Sequence, residues 1–211
     1  MLHFFKIADD AEFFKFHPFW FMLNIVLIRH GQTEGNADGL IQGQNDTPLT
    51  ADGIKDTLAK AVKLREFKFN AVYCSDLGRA RHTYRLLQGA LPLLPEAVYQ
   101  EELREIDFGE YAGMKKEEIM PTILRHKADT SLKYPGGESG DDLKTRVSRF
   151  LDFCLTRHEN ETVLIVSHYG VIETVLRQFT DRPTDTPLTI DPEAVYQLCF
   201  DDLTSAKVKV D

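Results

Sequence analysis

Cysteine is the first thing the 211-residue chain has little of: Cys74, Cys154 and Cys199 are all there is. They are widely spaced, form no CxxC pair and each sits in an apolar segment. A disulfide framework is therefore excluded, and buried thiols in a reducing cytoplasm are expected. Basic charge is also short, with 25 Lys and Arg against 33 Asp and Glu, for a net charge of -8. That balance excludes broad electrostatic attachment to nucleic acid. It also repels anions at long range, so a phosphate site here has to rest on local arginines. No apolar run is long enough for a bilayer. The uncharged stretch 16–28 has 13 residues and is interrupted by Pro18 and Asn24, well short of a span. Internal repeats, low-complexity segments and linkers are absent too, and histidine spacing suggests no zinc site.

What is present is the composition of an ordinary globular protein, 43% hydrophobic and 27% charged, at a length that suits one α/β domain over residues 24–211. Residues 1–23 stand apart. They hold seven of the 14 phenylalanines and the single tryptophan, Trp20. Lys6, Asp9, Asp10, Glu12 and Lys15 break up the apolar residues, which is unlike a secretory signal. Exposed aromatics at this density would be adhesive, so the arm is expected to pack on the domain or on a second subunit, a homodimer being one form of the latter. A start of translation at Met22 is the other reading.

From Asn24 onward strands and helices alternate. Ile25-Val26-Leu27-Ile28 reads as a strand buried on both faces, of the kind found inside a parallel sheet. A polar, glycine-rich loop follows over 32–49. Thr50 caps a helix whose apolar positions are Ile54, Leu58, Ala61 and Val62. Ala71–Cys74 is a second strand, leading through Ser75-Asp76-Leu77-Gly78-Arg79 into a helix that runs to about Leu87. Val98 and Tyr99 suggest a further strand, and 117–127 a short helix. Ser139 and Asp142 resemble a capping box ahead of the stripe Leu143, Val147, Phe150, Leu151, Cys154, Leu155, which is core. Lys144, Arg146 and Arg149 read as that helix's wet face. Thr162–Val166 is a strand ending in Ser167-His168-Tyr169-Gly170, with a helix behind it. Segments 188–190, 195–200 and 207–210 read as peripheral strands.

Three strands thus end in chemistry: Arg29 and His30 after the first, Arg79 after the second, His168 after the fourth. In open α/β sheets, ligands bind beyond the carboxyl ends of the strands, so parallel strands would deliver all four side chains to one edge. Two guanidinium forks and a helix N-terminus suit a phosphoryl group. Flanking arginines disfavour the imidazolium form and leave a histidine nitrogen able to attack phosphorus. Glu105, in the loop 103–109, could overhang the pocket as an acid. Glu101, Glu102, Asp107 and Glu110 lie nearby, and composition alone does not choose among them.

Leu27-Ile28-Arg29-His30-Gly31-Gln32-Thr33-Glu34-Gly35-Asn36 resembles the signature of the histidine phosphatase superfamily, also called phosphoglycerate mutase-like. So do Gln42-Gly43 with Asp46-Thr47-Pro48-Leu49-Thr50, Ser75–Ala80, Leu103–Gly109, Gly137-Glu138-Ser139 and Val166–Gly170, in the family's order over roughly residues 24–200. The resemblance implies a three-layer α/β fold with a mostly parallel central sheet and helices on both faces. It implies His30 as nucleophile through a phosphohistidine, and Glu105 as general acid and then base, with Glu102 next in line. Arg29, Arg79 and His168 would bind the phosphoryl group, assisted by Asn36, and Gln42 would touch phosphate or substrate. No metal and no cofactor is called for, and the partner is a small phosphorylated metabolite. His82, three residues after Arg79, is expected to be a supporting or surface residue.

Only residues 110–136 separate the acid loop from the Gly-Glu-Ser turn, whereas metabolic mutases of the family carry a longer basic insertion. The acid loop's form, too, looks more like the small-molecule phosphatases, with α-ribazole phosphatases and broad-specificity phosphatases closest in style. Tyr111-Ala112-Gly113 departs from the family's usual continuation. A mutase and a protein phosphatase are the alternatives within the superfamily. A phosphatase-like binding module is the alternative outside catalysis, although none of His30, Glu105 or the arginines is missing.

Overall fold

The computed structural model describes residues 22–179, 188–200 and 206–211. The expectations for the aromatic arm concern residues that, up to 21, lie outside this set, as does part of the segment after the last helix. Strand β1 (Leu23–Arg29) lies inside a six-stranded sheet ordered β3-β2-β4-β1-β5-β6. Strands β2 (Ala71–Ser75), β3 (Ala97–Gln100) and β4 (Thr162–Ser167) continue it in parallel on one side. Strands β5 (Val195–Phe200) and β6 (Ala206–Val210) continue it antiparallel on the other.

β1 alternates between two cores. Leu23, Ile25 and Leu27 face the cluster built on Val147, Phe150, Leu151, Val171 and Val175, which come from α5 (Gly140–Arg157) and α6 (Tyr169–Gln178). Val26 and Ile28 face Ala61, Leu64, Ala80, Tyr84 and Leu87, from α2 (Ala51–Leu64) and α3 (Gly78–Ala90). Helices therefore cover both faces, and burial on both sides explains the unbroken apolar run. The expected three-layer, mostly parallel architecture is the one found.

Several local expectations change. The loop after β1 contains a short helix, α1 (Glu34–Ala37), whose reciprocal cap between Thr33 and Asn36 overrides the loop-like glycine content. Segment 188–190 is not a strand. β5 is not peripheral, because it pairs with β1 along the whole strand and is itself flanked by β6. The short helix after the acid loop is α4 (Met120–Ala128), starting later than expected with Pro121 in its first turn, where a missing N–H costs nothing.

The buried face of α2 is the most informative difference. Gly53, Thr57, Lys60, Ala61 and Leu64 point inward, while Leu58 and Val62 are 43% and 60% exposed. The stripe has helical spacing but is half polar. It is set by contact with the turn after β1, where a Cβ on Gly53 would collide with the backbone of Gln32. A close backbone approach thus outweighs burial of two aliphatic side chains.

Candidate active site

β1, β2 and β4 run parallel, so their carboxyl ends share one edge and bring Arg29, His30, Arg79 and His168 together. The rings of His30 and His168 lie 5.1 Å apart. Glu105 arrives from a loop and is, after burial, the leading electrostatic influence on both Arg29 and Arg79.

His30 is buried, and its Nδ1 lies 2.7 Å from its neighbour's carbonyl, Gly31 O. A carbonyl only accepts, so Nδ1 carries the proton and Nε2 presents its lone pair. Arg79 Nε–H points at that lone pair from 3.3 Å. Burial, then the charges of Arg29 and Arg79, hold His30 well below the usual 6.5 of an imidazole, and the ring is neutral at physiological pH. Gly31 is locked in turn by its N–H donating to Thr83 Oγ1 at 2.9 Å.

His168 is fully buried, with Nε2 2.8 Å from Ser75 Oγ. That hydroxyl also accepts from Leu77 N–H; in the tautomer where it donates its own proton to Nε2, the imidazole proton sits on Nδ1. Among the described residues Nδ1 is buried without a hydrogen-bond partner, and so is Arg29 Nε. Among the described residues the Arg29 guanidinium makes no hydrogen bond and stands 5.8 Å from the centre of the Tyr169 ring. Unpaired buried donors are costly in a protein interior. Two of them at one sheet edge describe a pocket matched to an anion.

Arg79 is used differently from Arg29. Its Nη1 donates to Asn45 O and to Asp46 Oδ1, and Nη2 donates to Gly43 O. The fork is thus anchored in the loop after α1, with the Nε edge turned to His30. Asn36 has its Oδ1 committed to Thr33 N–H, leaving its amide N–H₂ without an acceptor among the described residues. Gln42 is buried and braced, donating to Thr33 Oγ1 and accepting from Thr47 Oγ1. It supports the loop that holds Arg79. His82 is exposed and lines a shallow surface depression beside Asp46 and Gly78.

Glu105 is the carboxylate that the fold selects from its acidic neighbours. Both of its oxygens accept from Gly170 N–H at the start of α6, and Oε1 also accepts from Ile106 N–H. A Cβ on Gly170 would run into Oε1, so glycine at this position is what admits the carboxylate. Glu102 contributes its backbone carbonyl instead, to Arg146.

Arg146 departs from the expected wet face of α5: Lys144 and Arg149 are exposed there, and Arg146 is not. Its guanidinium donates to the carbonyls of Glu102, Arg104 and Glu105 and to both carboxylate oxygens of Glu138. Glu138 accepts Asp107 N–H in addition. The acid loop is therefore threaded onto one arginine. The available signal was Arg146 lying one position before Val147 of the apolar stripe, at its border. Lys60 was also missed, and the only hint was its spacing with Gly53, Thr57 and Leu64.

Among the described residues no group of His, Cys, Asp and Glu is arranged to hold a metal ion, and no helix is long and apolar enough to cross a membrane. A parallel-strand edge carrying two arginines, two neutral histidines and a carboxylate on a helix N-terminus defines a phosphate-handling α/β enzyme. The model of the histidine phosphatase superfamily (branch 1) matches residues 25–210, and the chain belongs to that family. The adenosylcobalamin/alpha-ribazole phosphatase of Escherichia coli K12 is 31% identical over 168 residues, 77% of this chain and 82% of the relative. A probable phosphoglycerate mutase GpmB of Enterobacter sp. 638 is 34% identical over 154 residues, 70% of each chain. Among solved structures, Bacillus stearothermophilus YhfR superposes with a TM-score of 0.78 at 31% identity, covering 90% of this chain and 96% of its own.

Proposed function

We propose that the protein is a phosphomonoesterase that needs no metal and hydrolyses a small phosphorylated metabolite through a phosphohistidine on His30. The observation that carries this reading is the state of His30: Nδ1–H is held by Gly31 O, and a neutral Nε2 lone pair is aimed into a ring of positive charge. Nε2 attacks phosphorus as the bond to the leaving oxygen breaks, and Glu105 gives that oxygen its proton. Arg29, His168 Nδ1–H, the Nε edge of Arg79 and the Asn36 amide take the charge on the phosphoryl oxygens. Glu105, now a carboxylate, then removes a proton from water as it attacks the phosphohistidine, and phosphate leaves with His30 restored. The fixed cations supply the stabilisation for which other phosphatases use a metal. Gln42 acts indirectly, through the loop that anchors Arg79.

Cys74 and Cys154, buried as thiols and pushed up in pKa by burial, support a reducing, cytoplasmic setting. Similarity to a phosphatase-named relative over more of the chain, together with the short 110–136 segment, favours hydrolysis. Similarity to GpmB keeps mutase transfer as the second reading. The deciding experiment follows aryl phosphate hydrolysis in the presence of a chelator, with His30→Ala alongside. Turnover by wild type, absent in the variant and accompanied by an acid-labile phosphohistidine, is the expected result. Equal turnover by both proteins, or loss of activity on chelation, would sink the reading. Phosphoryl transfer between two phosphoglycerates without release of phosphate would select the mutase.

A further inference from the structure

Lys60 is a charged residue where a core position is expected. It is 2% exposed in the inward stripe of α2, and its Nζ donates to the carbonyl of Arg29 at 3.0 Å. That carbonyl stands at the end of β1, past the last pairing with β5 at Ile28, immediately before the proposed nucleophile. The charged groups around the ammonium are Arg29 on β1, Asp56 one turn back on α2, and Asp191 and Glu193 on the segment leading into β5. α3, which also packs on α2, turns Arg79 and Thr83 to His30 and Gly31. None of the acids comes close enough to form an ion pair with Lys60. A lysine buried this deeply with one neutral acceptor is costly to keep charged. A simple need to satisfy one carbonyl could be met by a hydroxyl, as Thr57 does for Gly53 O.

We propose that Lys60 is a positioning residue for the phosphoryl-transfer reaction. Its buried ammonium clamps the Arg29 carbonyl, fixes the turn that presents Arg29 and His30, and places a further positive charge behind the anion site. The inference rests on the phosphatase reading for its turnover arm only. Lys60 acts on His30 as Arg29 and Arg79 do, disfavouring its protonation. Burial and the charge of Arg29 push Lys60 down to about 8, so the clamp is charged at neutral pH and lost just above it.

The test is a pH profile of kcat/KM from pH 6 to 10 for wild type, Lys60→Arg and Lys60→Met. Binding of tungstate, a dianion throughout the alkaline half of that range, is measured calorimetrically over pH 7 to 10. Wild type is expected to lose activity and tungstate affinity across an alkaline limb centred near pH 8. Lys60→Arg, permanently charged, moves that limb upward. Lys60→Met fills the same space without charge and shows no such limb, with kcat/KM at pH 7 reduced on the order of tenfold. Profiles for wild type and Lys60→Met that superimpose after scaling would overturn the proposal, as would a tungstate affinity indifferent to pH in wild type. A wild type that turns over no phosphomonoester would remove the phosphatase reading, and the tungstate profile would still decide the role of Lys60. Thermal melts at pH 7 establish that each variant is folded.

Discussion

At the scale of single residues, the site is made of groups held in costly states. His30 and His168 are both buried, and burial followed by nearby arginine charge holds each well below 6.5. Their folded-state pKa values therefore lie under the unfolded ones. As pH falls through 6.5 the unfolded chain takes up protons that the folded site refuses, and stability drops. Each histidine contributes a slope of about 1.4 kcal/mol per pH unit until its folded pKa is reached. Denaturant midpoints should fall steadily below pH 6.5, and His168→Gln should flatten that fall; an unchanged slope would count against a neutral buried pair. Lys60 works in the same direction in a higher pH window. Its folded pKa of about 8 lies below the ordinary 10.5, so the folded state is penalised by charging it below pH 8 and relieved as pH rises toward 10.5. These groups therefore make stability rise with pH on both sides of neutrality, whereas loss of the Lys60 charge above pH 8 lowers activity, and activity and stability have different optima as a result.

At the scale of elements, the acid loop is positioned by two helices that were built for other purposes. α5 buries an apolar stripe with Arg146 at its border, and that arginine gathers three loop carbonyls and Glu138. α6 starts beside His168, and its free N–H at Gly170 holds the Glu105 carboxylate, as the positive end of a helix does for an anion. The close fit there makes a sharp prediction. Gly170→Ala adds only a methyl group, in a helix where alanine is favoured by about 1 kcal/mol over glycine. It should keep or raise the melting temperature while displacing Glu105, and kcat should fall on the order of a hundredfold, the scale of a mispositioned general acid. Steady-state kinetics with a poor leaving group should show this fall most strongly, because a good one needs little protonation. A Gly170→Ala enzyme with wild-type kcat on both substrates would show that the contact with Gly170 does not position Glu105. α4 meets α6 as well, with Lys127 bridging to Glu173 and lying 5.5 Å from the centre of the Tyr169 ring. The segment between the acid loop and the Gly-Glu-Ser turn is therefore tied to the wall of the site.

At the scale of the whole molecule, the sheet order places the chemistry on the most protected strands. β1 and β4 pair with each other and are both interior, and Val26, Leu27, Val163 and Leu164 have no exposed surface. β3 and β6 form the edges, and Val98, Tyr99 and Val210 are exposed there. Local opening follows burial and contact density. Amide hydrogen exchange should therefore be slowest in β1 and β4 and faster by several orders of magnitude in β3 and β6. Fast exchange in β1 would mean that the strand carrying Arg29 and His30 is not the anchor described here. The net charge of -8 acts on the same scale: it opposes the approach of any phosphate ester, which leaves capture to the cations at the strand ends.

Periodicities and motifs are legible in the sequence alone. Continuous apolar runs marked β1, β2 and β4 because strands buried on both faces have no polar alternation to show. Thr50 and Ser139 marked helix starts because capping is local chemistry, decided within three residues. The strand-end residues Arg29, His30, Arg79 and His168 could be read as one constellation once the strands were taken as parallel. Tertiary structure decided whatever depends on contact between distant segments. β5 looked peripheral because its place beside β1 is fixed across more than 160 residues of chain. The inward face of α2 was chosen by the backbone of Gln32, against the preference of Leu58 and Val62. Arg146 reads as a surface charge and Lys60 goes unmarked because nothing local says that a buried carbonyl awaits them. A charge in the interior is tolerated only where the fold brings its partners, and those partners come from other parts of the chain.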